Sequence, residues 1–224
     1  MVNKVHAVAC AADFLFLVTG CIQLGFSLIV RSQMFDRPTE GQQAVRNLLY
    51  QRFPLDAGIA NGALILVAFA LTLPALIMPA RGWLKVAGGA VTACGLFTLI
   101  IGVILWVMTL RIRADFAGIY VAQEPSVQEL MQTSFECCGY QNSTSPAFIT
   151  DPTCPSPAAA ALVRGCGGPI SSFGNIILDN IFTAVFGMVG IDALFILVLA
   201  CLRKDRKERE RYRHIDEKTD YLQI

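Results

Sequence analysis

Four long apolar stretches, nearly free of charge, decide what this chain can fold into; they run over about 8–30, 57–78, 83–110 and 181–202. A helix rising 1.5 Å per residue needs roughly 20 apolar residues to cross a hydrocarbon core ~30 Å thick, and each stretch is that long. Charge is confined to the flanks: Lys4 and Arg31, Asp56 and Arg81, Lys85 and Arg111, Asp179 and Arg203. Charged residues make up only 16% of the 224, against about 25% in soluble domains, and 14 of them fall in the last 22 positions. The remainder cannot cover a soluble core with polar surface. A net charge of +1 gives no basic footprint for nucleic acid.

The sequence therefore predicts an all-α membrane protein with four transmembrane helices. The expected order is an N-terminus at 1–7, the span 8–30, a small loop at 31–56 and the span 57–78. A turn at 79–82, the span 83–110, a large loop at 111–180, the span 181–202 and a tail at 203–224 complete it. The first span exceeds the ~7–15 apolar residues of a signal peptide and no small-x-small cleavage site follows it, so it is expected to be retained. Eleven Lys and Arg fall in the termini and the turn region and seven in the two long loops, which favours cytoplasmic termini.

Cysteine usage supports that orientation. Four of the eight cysteines lie in or beside spans (Cys10, Cys21, Cys94, Cys201), and the other four, Cys137, Cys138, Cys154 and Cys166, all fall in the large loop. An even, clustered set in one loop reads as a disulfide framework in an oxidising compartment. A bridge between the adjacent Cys137 and Cys138 would be strained, and spacing leaves two crossings open. Zinc is disfavoured, for want of CxxC spacing and of a nearby His. The loop also holds the one glycosylation sequon, Asn142-Ser143-Thr144. Before the cysteines, Ile112, Phe116, Ile119 and Tyr120 continue the third span as helix. Ser126 and Glu129 match a capping box, opening a helix whose apolar stripe is Val127, Leu130, Met131 and Phe135.

Four spans, a small first loop, a large second loop and Cys137-Cys138-Gly139 resemble a tetraspanin over essentially the whole chain. Pro152-Thr153-Cys154 is similar to that family's Pro-x-Ser-Cys element. The resemblance implies pairing of Cys137 with Cys166 and of Cys138 with Cys154. The openings Met1-Val2-Asn3-Lys4 and Asp13-Phe14-Leu15-Phe16 are most similar to fungal tetraspanins required for host penetration by appressoria. Departures alter the family's intramembrane polar set: Asp13 stands where Asn is common, the third span lacks its Glu, and Asp192 stands for Glu or Gln. What the resemblance implies is a non-enzymatic organiser, a pathogenicity factor of polarised growth. Its partners would be other integral membrane proteins (an NADPH oxidase among them), membrane lipids including a sterol, and further copies of itself.

Several residues invite a sharper reading beside a plainer one. Asp13 and Asp192, inside spans, would line an ion or proton path, or be protonated and bonded across helices to Thr19, Gln23 or Asn61. The second reading is preferred, because no basic partner lies in any span. Gly88, Gly95, Gly102 and Thr109 recur every seven residues, as do Gly20 and Ser27 after Asp13, which suits close helix packing within the monomer. Cys10 and Cys201 lie near the cytoplasmic ends of their spans, where S-palmitoylation occurs; Cys21 and Cys94 read as buried thiols. The basic cluster at 203–213 suits anionic lipid and is equally a stop-transfer flank. Tyr221 to Ile224 resembles a Tyr-x-x-hydrophobic sorting signal into endosomal or vacuolar traffic from the plasma membrane. No catalytic, metal-binding or cofactor constellation stands out: the two histidines, His6 and His214, lie outside the spans, and GxSxG, HExxH and Gly-Lys-Ser/Thr are missing. A small channel or transporter using Asp13 and Asp192 is the alternative. A claudin-like adhesion protein is weaker still, because the first loop has no cysteine.

Overall fold

A computed structural model describes residues 4–78, 81–145 and 147–222. Among these described residues seven helices follow in order: α1 (Lys4–Gln33), α2 (Gly41–Tyr50), α3 (Leu55–Ile77), α4 (Arg81–Val121), α5 (Pro125–Phe135), α6 (Pro157–Ala161) and α7 (Gly167–Leu222). No strand forms among the described residues, only two isolated bridges at 142–147. α1, α3, α4 and α7 are long and apolar enough to cross a membrane. Between 28% and 39% of the most apolar window of each is buried inside the protein. The exposed remainder, including Phe14, Leu197 and Val67, suits a lipid environment rather than water. Both later helices outrun their apolar spans, α4 past Leu110 to Val121 and α7 starting at Gly167. Part of the turn expected at 79–82 lies outside the described residues.

The chain forms two compact units. The first comprises Met1–Phe26, Asp56–Ile100 and Val185–Ile224, and the second Ser27–Leu55 and Ile101–Ala184. In the first unit Phe16, Ile65, Ala68, Leu84, Val91, Phe195 and Leu199 form the core, and the Phe16 and Phe195 rings sit 5.3 Å apart. Close approach of α1 and α3 needs glycine on both sides. A Cβ on Gly20 would run into the Ile65 side chain, and one on Gly62 would lie 2.9 Å from the backbone nitrogen of Leu24. The seven-residue seam of α4 is not one continuous contact: a Cβ on Gly95 would meet Asp192 at 3.2 Å, while Gly88 has open space.

The end of α3 is closed from α7. Arg206 donates from Nη1 to the carbonyls of Ala75 and Met78, both at 2.9 Å, and from Nη2 to Leu76 at 2.8 Å. A helix ends with four carbonyls that have no partner of their own, and a guanidinium satisfies several at once while opposing the negative end of the helix dipole.

In the second unit α2 packs on α5. The backbone N–H of Gly41 donates to Ser134 Oγ at 2.9 Å, and a Cβ on Gly41 would strike the Leu130 carbonyl and Ser134. Ala44, Val45, Phe116, Tyr120, Met131, Tyr140 and Ile170 form the core around Cys137 and Cys166. The expected capping box does not form. α5 begins at Pro125, with Glu124 at the N-cap and no side-chain cap bond, because proline is preorganised for the first helical position and moves the start upstream of Ser126.

Two glycine substitutions should part company in a thermal melt of the detergent-solubilised protein. Gly62→Leu forces α1 and α3 apart and should cost ~1–3 kcal/mol or the fold itself. Gly88→Ala enters open space and should stabilise α4 by ~0.5–1 kcal/mol.

Candidate functional site

The disulfide unit is built around a residue that no sequence motif marks. Gln132, on α5, is fully buried. Its Nε2 donates to the Ile149 carbonyl at 2.8 Å and to Asp151 Oδ2 at 2.7 Å. Its Oε1 accepts from the N–H of Ile149 at 3.1 Å, from the N–H of Gly139 at 3.3 Å and from the Tyr120 hydroxyl at 3.3 Å. One amide thus fixes the end of α5, the Cys-Cys-Gly turn and the segment around Ile149. Asp151 extends the network, since its Oδ1 accepts from the N–H of Cys154 at 2.5 Å. Gln132 carried no signal in sequence, sitting one place beyond Met131 of the apolar stripe.

The turn sends the two adjacent cysteines different ways. α5 ends at Glu136 with φ 49°, and Gly139 has φ 65°, both in the left-handed region that only glycine enters without cost. Cys137 then joins Cys166 and Cys138 joins Cys154, and all four are fully buried. Short backbone pairs fasten the two arms: Cys138 N–H to the Arg164 carbonyl (3.0 Å), Cys166 N–H to Gly139 (2.8 Å) and Gly167 N–H to Tyr140 (2.8 Å). A Cβ on Gly165 would collide with the carbonyl of Gln141. Asn142 is exposed, and its Oδ1 accepts from the N–H groups of Thr144 and Ser145 (3.0 and 2.8 Å) and from the Thr144 hydroxyl (2.9 Å).

Inside the first unit, polar side chains pair across helices. The Thr72 hydroxyl of α3 donates to Asp13 Oδ1 at 2.6 Å and also lies 2.7 Å from the carbonyl of Phe69. Thr72 has one hydroxyl proton, which these two acceptors share. Asn61, fully buried, donates to Gln23 Oε1 at 3.1 Å and to Thr98 Oγ1 at 2.9 Å, and Thr98 donates on to the Cys94 carbonyl at 3.0 Å. Asp192 lies against Gly95 and Thr98. Both its carboxyl oxygens, and Asn61 Oδ1, have no hydrogen-bond partner among the described residues. Asp13 therefore bonds to Thr72 rather than to Thr19, Gln23 or Asn61, and the Thr19 hydroxyl turns back to Phe16 in its own helix (2.7 Å).

Of the free thiols, Cys10, Cys21 and Cys201 are exposed and Cys94 is buried. The expectation of a buried Cys21 is corrected, because hydropathy does not tell which face of a span turns outward. Cys10 Sγ lies 3.8 Å from His6 Nε2. The basic tail is helical, with i,i+4 pairs Arg209–Asp205 (3.0 Å) and Lys204–Glu208 (4.0 Å). Tyr221 falls in the last turn of α7, and Ile224 of the expected sorting signal lies outside the described residues. Among the described residues no group of three or more His, Cys, Asp or Glu is placed to hold a metal ion. Compared with protein-family models, curated proteins and solved structures, the chain matches none.

Gln132→Leu keeps the volume but leaves Ile149, Asp151 and Gly139 without their partner, so it should cost ~3 kcal/mol or more. The check is a loss of correctly paired disulfides in mass mapping together with a lowered melting temperature. Burial pushes the Tyr140 phenol up to about 12, with the Arg113 guanidinium acting the other way; its hydroxyl donates to the Arg113 carbonyl at 2.9 Å. An unfolded tyrosine loses its proton near pH ~10, before the folded one does, so stability should fall as pH rises through this window. Melting curves across that range should show a smaller fall for Tyr140→Phe.

Proposed function

We propose that this chain is a tetraspanin-like, non-enzymatic membrane organiser that associates laterally with other integral membrane proteins and with lipids. The observation that carries it is the disulfide unit, a small fold held by two buried bridges and a shared amide in a chain that otherwise offers four apolar helices. Disulfides persist in oxidising compartments, and a sequon on an exposed turn agrees with that. On this reading the second unit's loop is extracellular, the termini are cytoplasmic, and the protein works at the plasma membrane. Recognition belongs to the loop, clustering to acylated Cys10 and Cys201. The resemblance to fungal penetration tetraspanins adds the physiology: polarised growth during host entry, with an NADPH oxidase and a sterol among the partners.

A second reading draws on one observation, the unpartnered Asp192 carboxyl. A small channel or transporter would use it as an ion or proton relay. Wild-type ion flux in liposomes, abolished in Asp192→Ala, would support that reading.

Brief crosslinking in the native membrane, purification in mild detergent and identification of what copurifies tests the organiser. A reproducible integral-membrane partner should be recovered, and should be lost when Cys137 and Cys166 become serine. Leu162 is 91% exposed in the disulfide unit, so Leu162→Glu probes the contact surface with the bridges intact. Recovery of the protein alone from every preparation would overturn the proposal.

A further inference from the structure

The second unit contains a cavity of about 440 Å³ whose lining is apolar except for one basic and one acidic side chain. Ile104, Met108, Ile112, Asp115 and Ile119 of α4 line one side. Their three- and four-residue spacing puts them in one stripe along the helix. Leu49, Arg52 and Leu178 line the other side. Leu49, Ile112, Phe116 and Leu178 are buried, forming an apolar floor. Arg52 and Asp115 are exposed, and neither has an ion pair among the described residues.

The cavity follows the transition in α4 from apolar to polar sequence. Ile104 and Met108 belong to the apolar span that closes at Leu110, whereas Asp115 follows Arg111 and Arg113. At 1.5 Å per residue, Asp115 stands ~16 Å along the helix from Ile104. The lining asks for a ligand that is apolar over most of its contact and offers both a negative group, to Arg52, and a positive one, to Asp115. The cavity's volume, toward the lower end of the ~300–1,000 Å³ of small-molecule sites, takes a headgroup and part of one acyl chain rather than a whole diacyl lipid.

We propose that this cavity seats a zwitterionic phospholipid, with phosphate on the Arg52 guanidinium, the headgroup amine on Asp115, and acyl chain along Ile104, Met108 and Ile112. Guanidinium matches phosphate through paired donors, and a primary ammonium gives a carboxylate charge-assisted hydrogen bonds. A sterol hydroxyl would leave one of the two charges unmatched. An anionic lipid would set a net negative headgroup beside Asp115. Phosphatidylethanolamine is therefore the preferred occupant. The seat depends on the helices crossing a bilayer, not on the organiser role.

The full chain, purified in detergent and stripped of lipid, is offered dioleoyl phosphatidylethanolamine, dioleoyl phosphatidylglycerol and ergosterol, and retention is read by native mass spectrometry. Phosphatidylethanolamine should be retained over the other two. Arg52→Gln should weaken retention of both phospholipids about tenfold. Asp115→Asn should remove the preference and admit phosphatidylglycerol. Both side chains are exposed, so unchanged melting temperatures and intact disulfides control for folding, and Met108→Trp, which narrows the apolar part of the cavity without altering charge, should weaken retention of both phospholipids. Retention indifferent to all three variants, or ergosterol displacing the phospholipid at equal concentration, would overturn the seat. Such a failure with partner capture intact would leave the organiser reading standing.

Discussion

Inside a bilayer no water is available to backbone N–H and C=O groups, and every other feature of this chain is arranged around that constraint. A helix meets it within one segment, so the four charge-poor stretches become helices whatever their individual propensities. Side chains obey the same rule with less freedom. Thr19, Thr72 and Thr98 each bond back to a carbonyl of their own helix, and Asn61 spends its amide on Gln23 and Thr98. Arg206 extends the principle to a helix end, where two carbonyls of α3 and that of Met78 just beyond it would otherwise go unserved.

The disulfide unit adds covalent and polar ties to its apolar core. It combines two crosslinks with one amide used in every direction. Bridges across 29 and 16 residues restrict the unfolded chain by roughly 3 kcal/mol each on loop-closure entropy. Gln132 then fixes what the bridges leave loose, because its partners come from Tyr120, the Cys-Cys-Gly turn and the Ile149 segment. Such a network is stable only when all of it is satisfied.

Much of the architecture was legible. Hydropathy and helix length located the four apolar helices, because the bilayer asks only for length and apolarity. Finer features escaped for identifiable reasons. Cysteine spacing alone left two crossings open; the pairing of Cys137 with Cys166 and Cys138 with Cys154 came only from the family resemblance, and it is the one the structure has. Nothing in sequence marked α2, whose ten residues include a glycine start and no acidic first turn. Asp13 was readable as a buried acid, but its partner lay on another helix and no pattern ties residue 13 to residue 72. Cys21 misled because a span that is apolar all round does not announce its outward face. Gln132 escaped because a polar residue beside an apolar stripe reads as surface.

The bridges are nested, with Cys138–Cys154 lying inside the interval closed by Cys137–Cys166. That nesting divides the unit by its tolerance of chain cleavage. A single cut between residues 139 and 153 leaves two fragments joined by both crosslinks, whereas a cut between 155 and 165 leaves them joined by the outer one alone. The exposed Leu162 falls in the less protected interval. A nicked molecule would therefore migrate as one chain until reduced.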